Sequence, residues 1–358
     1  MCQFSAFPYF PANSIDLRLN RLHLFNFWEF KDAYIPDAKL KAMIEKLASL
    51  YVDTNLDRLH SLTISIIDDD YSFEQLPKEQ IADLQRYASA LMYCSLIKNS
   101  HWTTCVPEHF TLIHQNFKLD EDAIAYRTGS YHTVTNWQPF ERTRLIRPDY
   151  IEPAVLNYRY DPKLLTAFTN MVDSHDHEDD YIFRVLDWVR YAFLNSEGYN
   201  YESRNVMMAT AFEILFKLQR SDKTANFANA LEELLRVNQM EVFDSSQNRP
   251  QTGLNTSQRV DGNGNPRSDR RGNVILHTVY GWWARDYYGL RSKVVHEGVV
   301  QRGELFNHNG IEHLKIALRM MTFCFYRILE NKGHLVHGSN PQKWIAEHHL
   351  REVEDAIS

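Results

Sequence analysis

The stretch of sequence that decides the fold is Val279-Tyr-Gly-Trp-Trp-Ala-Arg-Asp-Tyr-Tyr-Gly-Leu-Arg-Ser-Lys-Val-Val-His-Glu-Gly298. Large apolar residues recur in it at spacings of 4, 4, 3 and 4, the period of one face of an α-helix. They are Val279, Trp283, Tyr287, Leu290 and Val294. Gly298 suits the end of the helix, since glycine adopts the left-handed backbone without a steric penalty. The helical pattern resumes at Val274 and predicts one long helix of a helical bundle.

Other helices surround this one in the sequence. Residues 202–219 are apolar on nearly every side, which is typical of a helix inside a bundle. Apolar periodicity also predicts helices over 161–172, 180–196, 223–237 and 309–329, and an amphipathic helix at the C-terminus after Asn340-Pro341. We therefore expect residues 151–358 to form a mainly α-helical bundle.

Residues 244–273 interrupt the bundle with a polar segment rich in Gly, Asn and Pro. A segment with few large apolar residues cannot offset the entropy cost of ordering, so a mobile loop is predicted. Its arginines could gather RNA phosphates, and a plain solvated loop is the alternative. They are Arg249, Arg259, Arg267, Arg270 and Arg271.

Residues 1–150 differ in pattern and predict an α+β domain. The β-branched run 62–67 predicts a strand, and residues 77–99 predict a helix. Short strands on either side of Gly129 predict a hairpin. Arg147-Pro148 and Glu152-Pro153 place a domain boundary near residue 150.

Composition narrows the class of protein. The chain has 358 residues, 44% hydrophobic and 24% charged, with a formal charge of −7. This charge argues against a general nucleic-acid coat protein and leaves room for one local basic site. The four cysteines form no Cys-x-x-Cys pair, and no signal peptide or membrane span is evident. We expect a cytoplasmic protein that does not engage a membrane.

Arg291 and His296 are the candidate catalytic residues. Arginine can hold a phosphate with a fork of donors, and histidine can move a proton near neutral pH. The same spacing occurs at Arg18/His23 and Arg127/His132, so spacing alone carries no weight. Only Arg291/His296 lies on a strongly periodic helix that ends at a glycine and follows an apolar helix containing one acid, Glu213.

The combination of Ala211-Phe-Glu-Ile-Leu215 with Tyr288-Gly-Leu-Arg-Ser-Lys-Val-Val-His-Glu-Gly298 resembles the HEPN family, most closely its Apea-like branch. The resemblance covers roughly residues 155–330, and no family is assigned to residues 1–150. It implies a bundle that usually dimerises, and a metal-independent endoribonuclease whose Arg-x4–6-His motifs from two protomers line one cleft. Arg291 and His296 match the motif, Glu213 matches its acidic position, and Ser292 departs from the usual Asn, Asp or His.

Helix geometry is consistent with a site that combines residues from two protomers. Five helical residues turn the chain by about 500°, so the Arg291 and His296 side chains lie about 140° apart on a straight helix. A two-fold dimer would bring the two residue types together. The resemblance implies that His296 handles the proton of the ribose 2′-hydroxyl or of the leaving oxygen, while Arg291 stabilises the transition state, with no metal or cofactor.

Several alternatives stay open. Arg291 and His296 could instead only cap or pair within a non-catalytic interaction module. Glu213 could be a buried acid paired to an arginine such as Arg184 or Arg204, and Lys293 could be a solvated residue rather than an RNA contact. Two acidic or histidine-rich runs could bind a metal ion, but they are more typical of a polar turn and of a helix N-terminus. These runs are Asp68-Asp-Asp70 and His175-Asp-His-Glu-Asp-Asp180.

The biological role is inferred from the resemblance alone. HEPN ribonucleases often act as toxins or in defence against phage. The N-terminal domain would then sense a trigger or restrain the nuclease, and an antitoxin of the nucleotidyltransferase type is a candidate partner.

Overall fold

The computed structural model describes part of the chain. The described residues are 2–7, 16–28, 51–52, 61–67, 77–98, 113–117, 124–128, 132–135, 143–144, 160–194, 200–219, 221–235, 257–269, 271–298, 300–307 and 309–335. Within them the chain is mostly helical, and contacts divide it into two compact units. Unit 1 comprises Met1–Asp179 with Phe193–Asn195, and unit 2 comprises Asp180–Ala192 with Ser196–Ser358. The division lies C-terminal to the boundary predicted near residue 150.

Seven α-helices are described in total. They are α1 (Lys78–Lys98), α2 (Pro162–Ser174), α3 (Asp180–Phe193), α4 (Tyr201–Leu215), α5 (Lys223–Leu235), α6 (Val279–Glu297) and α7 (His313–Asn331). Two short 3-10 turns, η1 (His177–Asp179) and η2 (Arg302–Leu305), accompany them. The helices predicted from periodicity are confirmed to within a few residues at each end, apart from the C-terminal amphipathic helix, which lies outside the described residues.

Unit 2 is a bundle in which α5 packs against α6, α4 packs against α6 and α7, and α7 also packs against α5. Its core is aromatic: the rings of Phe212 and Phe227 lie 5.0 Å apart, and those of Trp283 and Tyr287 stack at 5.1 Å. Trp283, Tyr287 and Leu290 of the predicted α6 seam are buried, as expected. The predicted interior position of residues 202–219 is confirmed on one side of α4, which buries Met208, Ala209, Ala211, Phe212 and Leu215.

Helix ends follow ordinary capping chemistry. Asp161 caps α2 by accepting hydrogen bonds from the backbone amides of Lys163 and Leu164, at 3.0 and 3.1 Å. Thr278 caps the start of α6, and Gly298 follows its end with a φ of 70°. The predicted stop at Gly298 is therefore confirmed, and α6 keeps helical geometry from Val279 to Glu297.

The described residues of unit 1 include nine strands. They are β1 (Cys2–Phe7), β2 (Asp16–Leu19), β3 (Leu22–Trp28), β4 (Tyr51–Val52), β5 (Ser61–Ile67), β6 (Ile113–Phe117), β7 (Ile124–Thr128), β8 (His132–Thr135) and β9 (Thr143–Arg144). Seven form an antiparallel sheet of order β2-β3-β5-β1-β6-β7-β8, and β4 pairs with β9 in parallel. The predicted strand over 62–67 is β5, and the pairing of β7 with β8 matches the predicted hairpin.

The polar segment before α6 has local structure that its composition does not predict. Antiparallel bridges join Ser257 to His277, Val260 to Pro266, and Ser268 to Val274. The turn over 261–265 joins Val260 to Pro266, and a similar turn over 269–273 joins Ser268 to Val274. In each turn the leading aspartate accepts two backbone amides through its side chain, and a glycine with φ above 80° closes the turn. Residues 244–256 lie outside the described part of the chain.

A third turn of this kind, over 307–311, uses Asn307 in place of the aspartate. The shared pattern is Asp/Asn-x-x-Gly, where the glycine is needed because its backbone is left-handed. Hydrogen bonds that one side chain accepts from backbone amides, rather than apolar burial, organise these turns. Among the described residues, none of the helices combines the length and the apolar composition that a membrane span requires.

Candidate functional site

Helix α6 carries both motif residues and is anchored at its start by an acid from α5. The Glu232 carboxylate accepts hydrogen bonds from the Thr278 hydroxyl at 2.7 Å and from His277 Nδ1 at 2.8 Å, and it also accepts the Thr278 amide. Burial raises the pKa of Glu232, but the hydrogen bonds from His277 and Thr278 outweigh it and leave the pKa below its ordinary value. A carboxylate at a helix N-terminus also interacts favourably with the helix dipole.

Because Gly281 has no side chain, the Glu232 carboxylate can pack directly against the backbone of α6. A Cβ added there would lie 2.4 Å from Glu232 Oε1 and 2.8 Å from His277 Nδ1. The Glu232 side chain could move away only by breaking its hydrogen bonds to Thr278 and His277. This role of Glu232 is not predicted from the sequence. A glycine inside an otherwise strong helix, Gly281, is the one pattern that could have indicated a close contact there.

We expect Gly281→Ala to lower the free energy of unfolding by about 1–3 kcal/mol, since overpacking outweighs the helix propensity of alanine. Gly289→Ala is the matched control on the same helix, because nothing lies within 4 Å of an added Cβ there. Gly289→Ala is expected to stabilise the protein by about 0.5–1 kcal/mol. Urea unfolding of the two variants measures both values, and equal effects would contradict the assigned role of Glu232.

Arg291 is held within the bundle by Glu213. Arg291 Nη2 lies 3.3 Å from Glu213 Oε1, and its guanidinium lies 5.5 Å from the centre of the Tyr288 ring. The same carboxylate accepts a hydrogen bond from the Tyr288 hydroxyl at 2.6 Å and pairs with Lys223. This Glu213 cluster links α4, α5 and α6. Arg291 Nε is buried and finds no partner among the described residues.

The partners of Glu213 lower the pKa of its carboxyl group. Burial raises the pKa of Glu213, but hydrogen bonds from Lys223 and Tyr288 and the charge of Arg291 outweigh it, so the pKa lies below its ordinary value. Burial and the neighbouring Glu213 carboxylate raise the pKa of Tyr288, which keeps this hydroxyl protonated. Glu213 is therefore a charged acceptor at neutral pH. Glu213 is paired to an arginine, as one alternative predicted, but the arginine is Arg291 of α6 rather than Arg184 or Arg204, and Lys223 of α5 is a second partner.

His296 has a different environment. It lies in the last turn of α6 with an exposed side chain, and no hydrogen bond or ion pair joins it to a described residue. Because α6 stays helical through Glu297, the angle of about 140° between Arg291 and His296 holds. Within one chain the two side chains are therefore separated, with Arg291 turned to the Glu213 cluster and His296 turned to solvent.

Lys293 and Ser292, the remaining predicted site residues on α6, also differ in exposure. Lys293 is exposed and pairs with Glu304 of η2, which raises the pKa of Lys293 through the hydrogen bond and the opposite charge. Glu304 also accepts the Gln301 amide at 3.2 Å, so this pair ties η2 to α6. Ser292 is half-buried on α6.

The other two Arg-x4-His pairs do not lie on helices. Arg18 and His23 are opposite each other in the β2–β3 pairing, and Arg127 and His132 belong to β7 and β8. Among the described residues no group of His, Cys, Asp or Glu is arranged to hold a metal ion, and Asp68–Asp70 lies outside them. Cys94 and Cys324 are buried free thiols.

The chain matches no protein-family profile, no curated protein and no solved structure.

Proposed function

We propose that the chain is a metal-independent endoribonuclease of the HEPN type. The observation that supports it is a solvent-exposed His296 at the end of a rigid helix whose arginine, Arg291, is oriented by a charged Glu213. An exposed imidazole with no local partner is available for proton transfer. An arginine held by one acid still has further donors for a phosphate, since a guanidinium carries five N–H groups.

The proposed reaction is an internal displacement at phosphorus. His296 takes the proton of the ribose 2′-hydroxyl, the 2′-oxygen bonds to phosphorus, and the bond from phosphorus to the 5′-oxygen breaks. The leaving oxygen takes up a proton from an imidazolium. Arg291 stabilises the negative charge of the transition state. The products are a 2′,3′-cyclic phosphate and a 5′-hydroxyl, and the overall step needs no metal.

The site is proposed to be completed by a second copy of the chain. The angle between Arg291 and His296 keeps them apart on one helix, and a two-fold axis beside α6 would set His296 of each protomer against Arg291 of its partner. Residues 1–150, expected as an α+β domain, would sense a trigger or restrain the nuclease. A cytoplasmic toxin or antiphage effector, with an antitoxin or sensor as partner, is the role that the resemblance to HEPN proteins suggests.

The test of this function is an incubation of the purified protein with single-stranded RNA and with DNA of the same sequence, in EDTA. We expect cleavage of the RNA alone, because DNA lacks the attacking 2′-hydroxyl. Mass spectrometry of the products should find 2′,3′-cyclic phosphate ends. Equal cleavage of DNA, or intact RNA both in EDTA and in magnesium, would contradict the proposal.

A non-catalytic dimerisation or docking module is the second candidate. The contact of Arg291 with Glu213 favours it, because an ion pair inside the bundle stabilises the fold without any contact to RNA. This candidate predicts a dimer in solution with no change in RNA, and it predicts that substitution of Arg291 alters stability alone.

A further inference from the structure

The outward side of α3 carries a stripe of aromatic and cationic residues. Their spacings of 3, 4 and 3 place them along one side of the helix, over a length of about 15 Å. The opposite side of α3 is the buried one, with Ile182, Val185 and Val189 fully covered. The members of this α3 stripe are Tyr181, Arg184, Trp188 and Tyr191.

The α3 stripe is open to solvent at its cation and at one of its rings. Arg184 and Tyr191 are the two exposed residues of α3, which is described over its whole length, and Tyr191 is 43% exposed. Trp188 is half-buried, and its ring meets the Tyr191 ring edge to face at 5.9 Å. Arg184 forms no hydrogen bond or ion pair with a described residue, whereas the acids of α3, Asp180 and Asp187, are half-buried and already interact with other residues. Tyr, Trp and Arg grouped on one surface are typical of a binding face.

Two lysines extend the positive charge of the α3 stripe. Lys217 Nζ lies 4.5 Å and Lys332 Nζ lies 6.0 Å from the centre of the Tyr181 ring. Both lysines are exposed, and they come from separate segments, one after α4 and the other after α7. With Arg184 they place three cations on one face of a chain whose formal charge is −7. A local concentration of cations on an acidic protein indicates an anionic ligand.

The Tyr181 end of the α3 stripe lies close to the Glu213 cluster. Lys217 comes four residues after Glu213, about one helical turn, and the next amide, that of Leu218, donates to the Glu213 carbonyl at 3.0 Å. Glu213 in turn holds Arg291, the residue proposed to stabilise the transition state. A strand that follows the stripe past Tyr181 and Lys217 would therefore reach the proposed site.

We infer that the α3 stripe holds single-stranded RNA, with bases stacked on Trp188 and Tyr191 and phosphates beside Arg184, Lys217 and Lys332. Rings next to cations suit a single strand, because every base has a flat face and every nucleotide carries a phosphate. The choice of RNA as the ligand rests on the proposed ribonuclease function. The stripe adds to that function a surface that holds the substrate away from the reacting atoms.

A peptide fits this surface less well than a nucleic acid strand. The backbone groups of a helix are bonded within the helix, so α3 offers an extended peptide no main-chain hydrogen bonds. A docking helix needs a continuous apolar stripe, and here Arg184 interrupts the rings. An acidic peptide is therefore the competing ligand in the test.

Fluorescence titration of a labelled single-stranded RNA with the full chain carrying His296→Ala tests the inference, because this protein should bind RNA without cleaving it. Adding Trp188→Ala or Tyr191→Ala should weaken binding at least about fivefold, the loss of one stacked base. Tyr191→Phe keeps the ring and should bind RNA as tightly as the parent. Arg184→Gln should make the slope of log affinity against log salt concentration shallower by about 0.7, the share of one phosphate contact on a single strand.

Arg319→Gln is the matched charge control. Arg319 is exposed on α7, and its position thirteen residues before Lys332 places it about 20 Å from that end of the helix. An equal change of slope in Arg319→Gln would show that general charge, not the stripe, holds RNA, and would overturn the inference. Thermal melts identify any variant that fails to fold, and Arg184→Gln keeps the test decisive should Trp188→Ala unfold, because Arg184 is exposed.

The remaining outcomes separate the α3 stripe from the proposed ribonuclease function. RNA cleavage by the wild type, with affinity unchanged by Trp188→Ala and Tyr191→Ala, would overturn the stripe and leave the ribonuclease standing. RNA affinity that depends on these two rings in a protein that never cleaves RNA would support the stripe and overturn the ribonuclease. Binding of polyglutamate through the same side chains, without RNA binding, would assign the stripe to an acidic protein partner and overturn the inference.

Discussion

Replacing His296 by alanine is expected to reduce the rate of RNA cleavage at least about a hundredfold, the usual contribution of a positioned general acid or base. The side chain is exposed in the last turn of α6 and contacts no described residue through a hydrogen bond or ion pair. Its removal should therefore leave the free energy of unfolding nearly unchanged. Cleavage of end-labelled RNA in EDTA gives the rate, and a thermal melt gives the stability.

His177→Ala is the matched control, because His177 is also exposed and lies in η1, outside the bundle of unit 2. It should cleave RNA at the wild-type rate. Mixing His296→Ala with Arg291→Ala adds a test of the composite site, since a heterodimer would hold one intact combination and recover part of the activity. Wild-type activity in His296→Ala would contradict the proposed role of His296.

Replacing Glu213 by glutamine is expected to lower the free energy of unfolding by about 2 kcal/mol at pH 7, because it leaves two half-buried cations, Arg291 and Lys223, without their acid. The Glu213 side chain is 15% exposed and meets Arg291, Lys223 and the Tyr288 hydroxyl. Glu233→Gln, an exposed acid of α5, is the matched control and should change stability by less than about 0.5 kcal/mol. Urea unfolding at several pH values measures both.

The pH dependence has a definite sign. The folded-state pKa of Glu213 lies below the ordinary value of 4.5, so its contribution to stability is present above pH 4.5 and is lost as the pH falls through the folded pKa. The difference between wild type and Glu213→Gln should be constant at neutral pH and shrink in acid. A difference that grows as the pH falls would contradict the ionised state assigned to Glu213.

Periodicity predicted the helices well because it depends on local geometry. The apolar spacing of residues 279–294 and the glycine at 298 located α6 and its end, and the same reasoning located α2 to α5 and α7. The segment before α6 was predicted less well. Its turns depend on an Asp or Asn side chain bonding to backbone two and four residues later, which leaves no trace in hydrophobicity.

Part of the candidate site was predictable from the sequence, and part of it was not. Sequence named Arg291, His296 and Glu213 and predicted the angle between the first two, since the angle follows from residues per turn. Sequence did not predict that Arg291 pairs with Glu213, or that Lys223 and Tyr288 complete the cluster. It also did not find Glu232 at the start of α6, where Gly281 was the clue.

By itself the sequence determined where α6 ends, although it placed the start at Val274, five residues before the observed Val279. It also separated Arg291 from His296 along and around that helix. Only the tertiary structure decided that Arg291 is held by Glu213 and that the His296 side chain is exposed. The physical reason is the distance along the sequence over which each property is set. Side-chain direction along a helix follows from the rise and turn of a few residues, whereas contacts between residues about 80 positions apart follow from how α4, α5 and α6 pack.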